Sequence, residues 1–310
     1  MNILVTGGAG YLGSVLVPEL LAAGHRVTVI DAFAHGVPSL TPVMHEPKLR
    51  VIREDVRLNS ALKLVRKFDV LIPLAAIVGA PACELDPFGA ATVNAGAVCE
   101  LVARSRLDQL ILFPCTNSGY GAGTEAECTE DLPMRPLSLY ARTKLVAERA
   151  VLAHPGGVSL RFATLFGISP RMRLDLLVND FVRRAVRDRA LTLFEPHFRR
   201  NFLHVRDAAS ALLFALEHHA EMRGRAFNAG DSRANMSKER LCREIANIIP
   251  GFWYHISNSA EDLDKRDYVV SNARLEALGW RPRYSLQDGI QELARAYCAL
   301  PFEGREWRNA

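Results

Sequence analysis

A glycine-rich turn directly after the first apolar run constrains the fold of this chain more than any other feature. Residues 6–13 read Thr-Gly-Gly-Ala-Gly-Tyr-Leu-Gly, with glycines in G-x-x-G-x-x-G spacing. A turn between a buried strand and a helix exposes backbone N–H groups that hold a diphosphate, and a Cβ would keep that diphosphate away. The sequence therefore predicts a dinucleotide site formed by Gly7, Gly10, Tyr11, Leu12 and Gly13.

Short apolar runs alternate with helical patterns through the first half of the chain. Strands are predicted at Ile3–Thr6, Arg26–Asp31, Arg50–Glu54, Val70–Ala75, Leu110–Pro114 and Gly157–Arg161. Helices are predicted at Tyr11–Ala23, Ser60–Lys67, Pro87–Ser105, Leu137–His154 and Leu286–Leu300. This alternation is typical of the α/β class with a doubly wound parallel sheet, the Rossmann arrangement. We expect residues 1–165 to bind the dinucleotide. Residues 166–310 should form mainly a smaller C-terminal substrate-binding lobe, with segments returning to the sheet.

Composition narrows the class of protein without indicating a reaction. The 310 residues carry a formal net charge of +4, which gives no reason to expect nucleic-acid binding. No apolar run approaches the ~18–20 residues that span a bilayer, and Met1 leads directly into a strand without a signal peptide. The six cysteines show neither C-x-x-C pairs nor zinc-site spacing. We expect a cytoplasmic enzyme without a metal site or a membrane partner.

Three further strand ends contribute to the expected dinucleotide site. Asp31 ends the second strand, where its carboxylate can accept both ribose hydroxyls and would repel a 2′-phosphate, so NAD is favoured over NADP. Asp55 and Val56 follow the third strand and are expected to flank the adenine. The small residues of Leu74-Ala75-Ala76 end the fourth strand and let a cofactor lie across it.

A tyrosine and a lysine four residues apart supply the candidate chemistry. Tyr140 and Lys144 share one face of a predicted helix, and a neighbouring ammonium favours the phenolate form of tyrosine. Tyr140 is then able to take a hydroxyl proton. Thr116 closes the fifth strand and is expected to hydrogen-bond the reacting oxygen. Thr116, Tyr140 and Lys144 are the predicted catalytic residues, and the last two should also touch the cofactor.

In these motifs the chain resembles the extended short-chain dehydrogenase/reductase family of nucleotide-sugar epimerases and dehydratases. The similarity also rests on two segments of the second half, Arg200-Asn201-Phe202-Leu203-His204-Val205 and Leu278-Gly279-Trp280. It implies that Asn94 is a further cofactor-binding residue. It implies a nucleoside-diphosphate sugar as substrate, oxidised transiently at C4, and a homodimer formed through the helices that contain Asn94 and Lys144. Segments at residues 78–83, 169–173 and 266–268 are similar to a branch acting on nucleotide-linked heptoses.

The resemblance also implies the substrate residues. Arg200 is the first candidate for the substrate diphosphate, because a guanidinium donates parallel hydrogen bonds to phosphate. The complete predicted set is Val78, Asn117, Ser118, Thr164, Arg171, Asn179, Arg200 and Arg266.

Departures from the family pattern bear on the reaction type. Family 4,6-dehydratases carry an Asp-Glu pair directly after the active-site threonine, where this chain has Asn117 and Ser118. Neither is a useful acid at neutral pH, so dehydration is not expected.

A nucleotide-sugar epimerase is the leading hypothesis. A 4-dehydrogenase or 4-ketoreductase fits the same catalytic residues, and a non-catalytic NAD-binding regulator is a minor alternative. Cys83 is either a proton donor or a buried structural thiol.

Overall fold

The computed structural model describes residues 1–122, 127–258, 266–302 and 304–309. The strands are β1 (Asn2–Thr6), β2 (Arg26–Asp31), β3 (Leu49–Arg53), β4 (Val70–Pro73), β5 (Leu110–Thr116), β6 (Gly157–Phe162), β7 (Thr164–Phe166), β8 (Ala190–Leu193), β9 (Arg199–His204), β10 (Arg225–Ala229), β11 (Asn235–Ser237) and β12 (Trp253–Ile256). The α-helices are α1 (Gly13–Ala22), α2 (Asn59–Leu62), α3 (Ala80–Leu85), α4 (Pro87–Gly89), α5 (Ala97–Arg104), α6 (Leu139–Ala153), α7 (Leu177–Arg187), α8 (Val205–Glu217), α9 (His219–Met222), α10 (Lys238–Ile248), α11 (Ala273–Ala277) and α12 (Leu286–Ala299). Residues Ala90–Gly96 are π-helical, and short 3-10 turns occupy Thr41–Val43, Val65–Lys67, Asn117–Tyr120, Ser232–Ala234 and Arg305–Trp307.

Seven parallel strands form the central sheet in the order β10-β6-β5-β4-β1-β2-β3. The chain runs outward from β1 to β3 and then returns to β4 on the other side of β1. Thr6 consequently lies between Ile30 and Pro73 at the carboxyl ends of the strands. In an open α/β sheet this reversal leaves a crevice in which ligands bind. The predicted doubly wound parallel sheet is confirmed.

Helices cover both faces of the sheet, because successive side chains of a strand point to opposite sides. In β1, Ile3 and Val5 pack on one face beneath α1 and α8, whereas Leu4 packs on the other with α5 and α6. All three side chains are buried. This two-sided burial explains why β1, β4 and β5 read as continuous apolar runs.

The second half of the chain builds its own core and also extends the sheet. A three-stranded sheet (β11-β9-β7) and the β8–β12 pair pack with α7, α10 and α12 around buried residues such as Phe202, Leu241 and Ile290. β10 joins the central sheet beside β6, with Phe227 opposite Leu160. The division at residue 165 stays a prediction. In the part of the chain that the structure describes, no helix is both long enough and apolar enough to cross a membrane.

Several predicted elements differ from the observed ones at their ends, and the helix expected at Ser60–Lys67 is divided into α2 and the 3-10 turn at Val65–Lys67. Two further differences concern the candidate site. The helix expected at Pro87–Ser105 is α4, a π-helical stretch and α5 in succession, and the buried Asn94 lies in the π-helical part. The strand expected to reach Ala75 ends at Pro73, because the following residues form the wall of a cavity. Pattern-based interpretation missed both features, since neither a π-helical turn nor a strand end at a ligand cavity changes the apolar periodicity.

Candidate active site

A cavity of about 670 Å³ opens at the carboxyl ends of the central strands. This volume is typical of small-molecule and cofactor sites. Most residues that the sequence assigned to a site line it: Gly7, Gly10, Tyr11, Leu12, Gly13, Asp31, Asp55, Val56, Leu74, Ala75, Ala76, Val78, Thr116, Ser118, Tyr140, Lys144, Thr164, Arg171 and Arg266. The fold therefore brings the glycine turn and the tyrosine–lysine pair to one cavity, although they are far apart in the sequence.

Two glycines of the turn stand where a side chain would collide with the neighbouring backbone. Gly7 has a φ of +72°, and a Cβ on it would lie 2.5 Å from the backbone nitrogen of Ala75. A Cβ on Gly13 would lie 2.6 Å from the carbonyl oxygen of Gly7. Both distances are too short for a real side chain. Glycine therefore lets the turn approach the segment after β4 at Gly7, and lets the start of α1 approach the turn at Gly13. The backbone cradle fits a diphosphate lying on the first turn of α1.

Asp31 is positioned by the turn itself. Its Oδ2 accepts a hydrogen bond from the backbone N–H of Ala9 at 2.9 Å, and its Oδ1 accepts one from Phe33 at 2.7 Å. Burial raises the pKa of the Asp31 carboxyl, and these two hydrogen bonds oppose the rise. A carboxylate has about four acceptor positions, so both oxygens retain capacity for ribose hydroxyls.

Asp31 leads to a prediction about cofactor choice. We expect NADP(H) to bind at least ~100-fold more weakly than NAD(H), because juxtaposed like charges cost several kcal/mol. The variant Asp31→Asn should weaken NAD binding and narrow the gap, whereas Asp108→Asn, which alters an exposed carboxylate, should change neither. Calorimetry of both dinucleotides with the three proteins measures this directly. Equal affinity of the unsubstituted protein for NADP would contradict the assignment.

The neighbouring strand ends complete the wall around the expected adenosine site. Asp55 is held by Arg57, whose Nε lies 3.0 Å from Asp55 Oδ1. Asn94 is buried behind the wall, not on it. Its amide accepts from the N–H of Ile77 at 2.8 Å and donates to the carbonyl of Ile77 at 2.9 Å. Asn94 thus fixes the loop after β4, and a direct cofactor contact stays a prediction.

Thr116 ends β5 and belongs to a short hydrogen-bonded chain of polar groups. Its Oγ1 lies 2.9 Å from Ser118 Oγ and accepts from the Ser118 N–H at 3.1 Å. Arg266 Nη1 donates to Ser118 Oγ. The structure therefore connects a cation from the second half of the chain to the threonine at the expected reaction centre.

Tyr140 and Lys144 lie on the first turns of α6, which Ser138 caps by accepting from the Ala141 N–H at 3.2 Å. Lys144 is 4% exposed, and its Nζ lies 4.1 Å from the centre of the Phe113 ring. Burial lowers the pKa of Lys144 to about 8. Burial also raises the pKa of Tyr140 above its usual range, and the cations that act most strongly to lower it are Arg173 and Arg266. The sequence predicts that effect for Lys144, which is not among the groups with the largest influence.

Three predicted substrate residues lie off the cavity wall. Asn179 is buried, with its amide bonded to the Gly167 N–H at 3.0 Å and to the Arg173 carbonyl at 2.9 Å. Arg200 is 2% exposed, and its Nη1 donates to the carbonyl of Arg199 at 2.9 Å. Asn117 is also buried, and neither atom of its amide has a hydrogen-bond partner within the described ranges. Their proposed substrate contacts stay predictions.

Cavity residues outside the predicted set come from sequence positions with weak signals. Arg57 directly follows the predicted site residue Val56, and Arg173 stands two residues after Arg171, so their proximity was the available signal. His35 follows the Asp31 turn, and burial together with Arg171 and Arg173 lowers its pKa to about 4. Asn309 reaches the cavity from the far end of the chain, and no sequence pattern indicated it.

Comparison with solved structures finds the same fold in two proteins named as 4-epimerases. The chain superimposes on UDP-glucuronic acid 4-epimerase from Bacillus cereus, in complex with UDP-glucuronic acid and NAD, with a TM-score of 0.83. The two are 25% identical, and the alignment covers 96% of this chain and 99% of the other. UDP-glucose 4-epimerase from Thermus thermophilus, in complex with NAD, gives a TM-score of 0.81 at 25% identity, with coverage of 96% and 99%.

Sequence comparison finds relatives with more than one reaction. UDP-glucuronic acid decarboxylase 1 of Arabidopsis thaliana is 29% identical, over 94% of this chain and 69% of that protein. UDP-glucose 4-epimerase of Corynebacterium glutamicum is 28% identical, over 96% and 95%. The model of the NAD dependent epimerase/dehydratase family matches residues 3–230. This match covers more than half of the chain and agrees with a glycine turn, an Asp31 carboxylate and a tyrosine–lysine pair on one cavity. The chain therefore belongs to the NAD dependent epimerase/dehydratase family, as an NAD-dependent enzyme of the extended short-chain dehydrogenase/reductase type.

Proposed function

We propose that the protein is a nucleotide-sugar epimerase that acts through transient oxidation at C4 of a nucleoside-diphosphate sugar. The observation that carries this proposal is the single cavity that joins the glycine turn and Asp31 to Thr116, Tyr140 and Lys144. The alignments with proteins named as 4-epimerases cover nearly the whole chain, which supports the proposal of an epimerase.

The residues of the site divide the chemistry between them. When bound, NAD⁺ accepts a hydride from the sugar carbon and returns it. Tyr140 takes the proton of the C4 hydroxyl and gives it back, acting as general base and then as general acid. Thr116 holds the C4 oxygen, and Lys144 reaches the same cavity one turn after Tyr140 on α6. Burial disfavours the phenolate form of Tyr140, and the positive charges of Arg173 and Arg266 oppose this effect by lowering its pKa. These two charges therefore help Tyr140 to act as the base.

The substrate would lie between the loop after β4 and the second half of the chain. Val78, Ser118, Thr164 and Arg266 line this side of the cavity. A guanidinium suits a diphosphate or another anionic group, so Arg266 is the strongest candidate for substrate contact. Arg200, Asn117 and Asn179 would need side-chain movement to take part.

The same geometry supports the exclusion of 4,6-dehydration. Elimination requires an acid and a base beside the sugar C5 and C6. Ser118 is bonded to Thr116 and Arg266, and Asn117 lies off the cavity wall. Of the carboxylates on the wall, Asp31 and Asp55 follow other strands and belong to the expected adenosine site, and Asp86 caps α4 by accepting from the Gly89 N–H at 2.8 Å.

A panel of nucleotide sugars tests the proposal. Purified protein would be incubated with UDP-, GDP-, ADP-, CDP- and dTDP-linked sugars, including a hexuronic acid and a heptose, and the products followed by NMR in deuterated water. We expect one C4 epimer pair to reach equilibrium without net formation of reduced cofactor. Stoichiometric reduction of added NAD would favour the 4-dehydrogenase alternative. Release of carbon dioxide or formation of a 4-keto-6-deoxy sugar in high yield would reject the epimerase.

The assembly and the cellular location are also proposals. We propose that two copies pack through the helices around Asn94 and Lys144. Leu85 and Phe88, which are 78% and 76% exposed beside these helices, support this. The six cysteines form no disulfide, as expected for a cytoplasmic protein. A monomeric mass by light scattering would contradict the dimer.

A further inference from the structure

We infer that Arg171 binds the diphosphate of the NAD cofactor, and that residues 304–309 hold Arg171 in place as a strap across the cofactor cavity. The inference rests on the assignment of NAD to this cavity and does not depend on which sugar is the substrate. The family resemblance implies a substrate contact for Arg171, whereas its position in the fold favours the cofactor.

The backbone before Arg171 packs directly on the glycine turn. Ser169 Oγ donates to the carbonyl of Tyr11 at 2.7 Å and lies 2.9 Å from Ser14 Oγ. The Arg171 N–H points to the same Ser14 hydroxyl at 3.4 Å. Arg171 therefore stands at the first turn of α1, where the backbone cradle fits a diphosphate.

The side chain of Arg171 is a buried cation whose hydrogen-bond partners, among the residues that the structure describes, are all neutral. Arg171 is 2% exposed and lines the cavity. Its Nη1 donates to the carbonyl of Met172 at 3.4 Å, and its Nε has no hydrogen-bond partner among the described residues. No carboxylate forms a hydrogen bond or ion pair with it in the described part of the chain, although Asp175 and Asp31 act on it at longer range. Burying a charge without an opposite charge is costly, and a bound anion removes that cost.

The strap joins the two halves of the chain across the cavity. Arg171 Nη2 donates to the Arg308 carbonyl at 3.2 Å and to Asn309 Oδ1 at 2.9 Å. Asn309 Nδ2 donates in turn to the carbonyl of Val78, in the loop after β4, at 3.1 Å. One side-chain amide thus links Arg171 to the opposite wall.

The strap is anchored away from the cavity. The N–H of Leu174 donates to the Trp307 carbonyl at 2.8 Å, and the Trp307 ring meets Phe302 edge-on at 5.4 Å between centres. Release of the cofactor would require these contacts to open. Slow release suits a reaction that returns the hydride to the same sugar, because such a reaction has no need of cofactor exchange.

The test compares Arg171→Met, Arg171→Lys and Asn309→Ala with the control Arg308→Ala, which removes an exposed side chain and keeps the carbonyl. After removal of co-purified nucleotide, calorimetry gives the NAD and UDP affinities, and stopped-flow fluorescence gives the NAD dissociation rate. We expect Arg171→Met to weaken NAD binding at least ~10-fold, with a smaller loss for Arg171→Lys, which keeps the charge but not the planar fork. Asn309→Ala should release NAD several-fold faster, and Arg308→Ala should behave as the unsubstituted protein.

The two diphosphate sources are distinguished by the UDP measurement. Weaker NAD binding together with UDP affinity within twofold of the unsubstituted value supports the cofactor assignment. A loss of UDP affinity with unchanged NAD affinity would return Arg171 to the substrate and overturn the inference. Unchanged NAD affinity and release rate in folded Arg171→Lys and Asn309→Ala proteins would also reject it. None of these results depends on epimerase activity, so the proposed function is tested separately.

Discussion

Tyr140→Phe should lower kcat by ~10²–10⁴-fold, the usual contribution of a positioned general base. The variant removes one oxygen and keeps the ring, so the packing of α6 is retained. NAD affinity should stay within about twofold of the unsubstituted value, because the glycine turn and Asp31 hold the cofactor from the other end of the cavity. Steady-state kinetics on the substrate found by the panel, with calorimetry for NAD, measure both quantities.

A second tyrosine provides the matched control. Tyr284 lies outside the cavity with its ring under Arg206, whose guanidinium carbon is 4.3 Å from the ring centre. Tyr284→Phe should leave kcat unchanged. If Tyr140→Phe cost less than tenfold in kcat, another group would be the base and the assignment of Tyr140 would be wrong.

Glu148→Gln should lower the free energy of unfolding by ~3–5 kcal/mol, the range found when one partner of a buried ion pair is removed. Glu148 lies one turn after Lys144 on α6, and its side chain is 4% exposed. Its two oxygens accept from Arg161 Nε and Nη2, both at 3.0 Å, and Ser159 Oγ donates at 2.6 Å. The amide of glutamine leaves the Arg161 charge buried without an opposite charge.

Two variants separate the buried charge from other effects. Glu100→Gln removes an acid from the exposed pair with Arg104 on α5 and should cost about 0.5 kcal/mol or less. The double variant Glu148→Leu with Arg161→Met removes both buried charges and should recover much of the lost stability. Urea unfolding followed by circular dichroism gives the free energies. If Glu148→Gln and Glu100→Gln lowered the free energy of unfolding equally, the buried ion pair would contribute no more to stability than the exposed one.

The core of the cofactor site could be predicted from the sequence because its determinants are local. The glycine spacing, the order of strand, turn and helix, and the four-residue interval between Tyr140 and Lys144 each depend on backbone geometry within a few residues. Asp31 and Thr116 were found because the carboxyl ends of parallel strands meet at one edge of a sheet. These features are therefore encoded in short stretches that can be read one at a time.

The family resemblance added substrate residues to this prediction, but it did not predict where the side chains of the arginines lie. Arg200 belongs to a family motif, yet its guanidinium is buried against the Arg199 carbonyl and the Tyr268 ring. Arg266 also came from a motif, and it reaches Ser118 near the reaction centre. A motif fixes the position of a residue in the chain, whereas the direction of a long flexible side chain depends on what packs around it.

The class of fold, the dinucleotide turn and the tyrosine–lysine pair follow from the sequence, because periodicity and spacing act over short distances. The tertiary structure was needed to show that β10 is a segment that returns to the central sheet, that Arg171 stands on the first turn of α1, and that Asn309 crosses the cavity to Val78. Arg171 and Ser14 are 157 positions apart in the chain, and Asn309 and Val78 are separated by 231. Such contacts arise from how the complete chain buries its apolar surface, and no local pattern in the sequence carries that information.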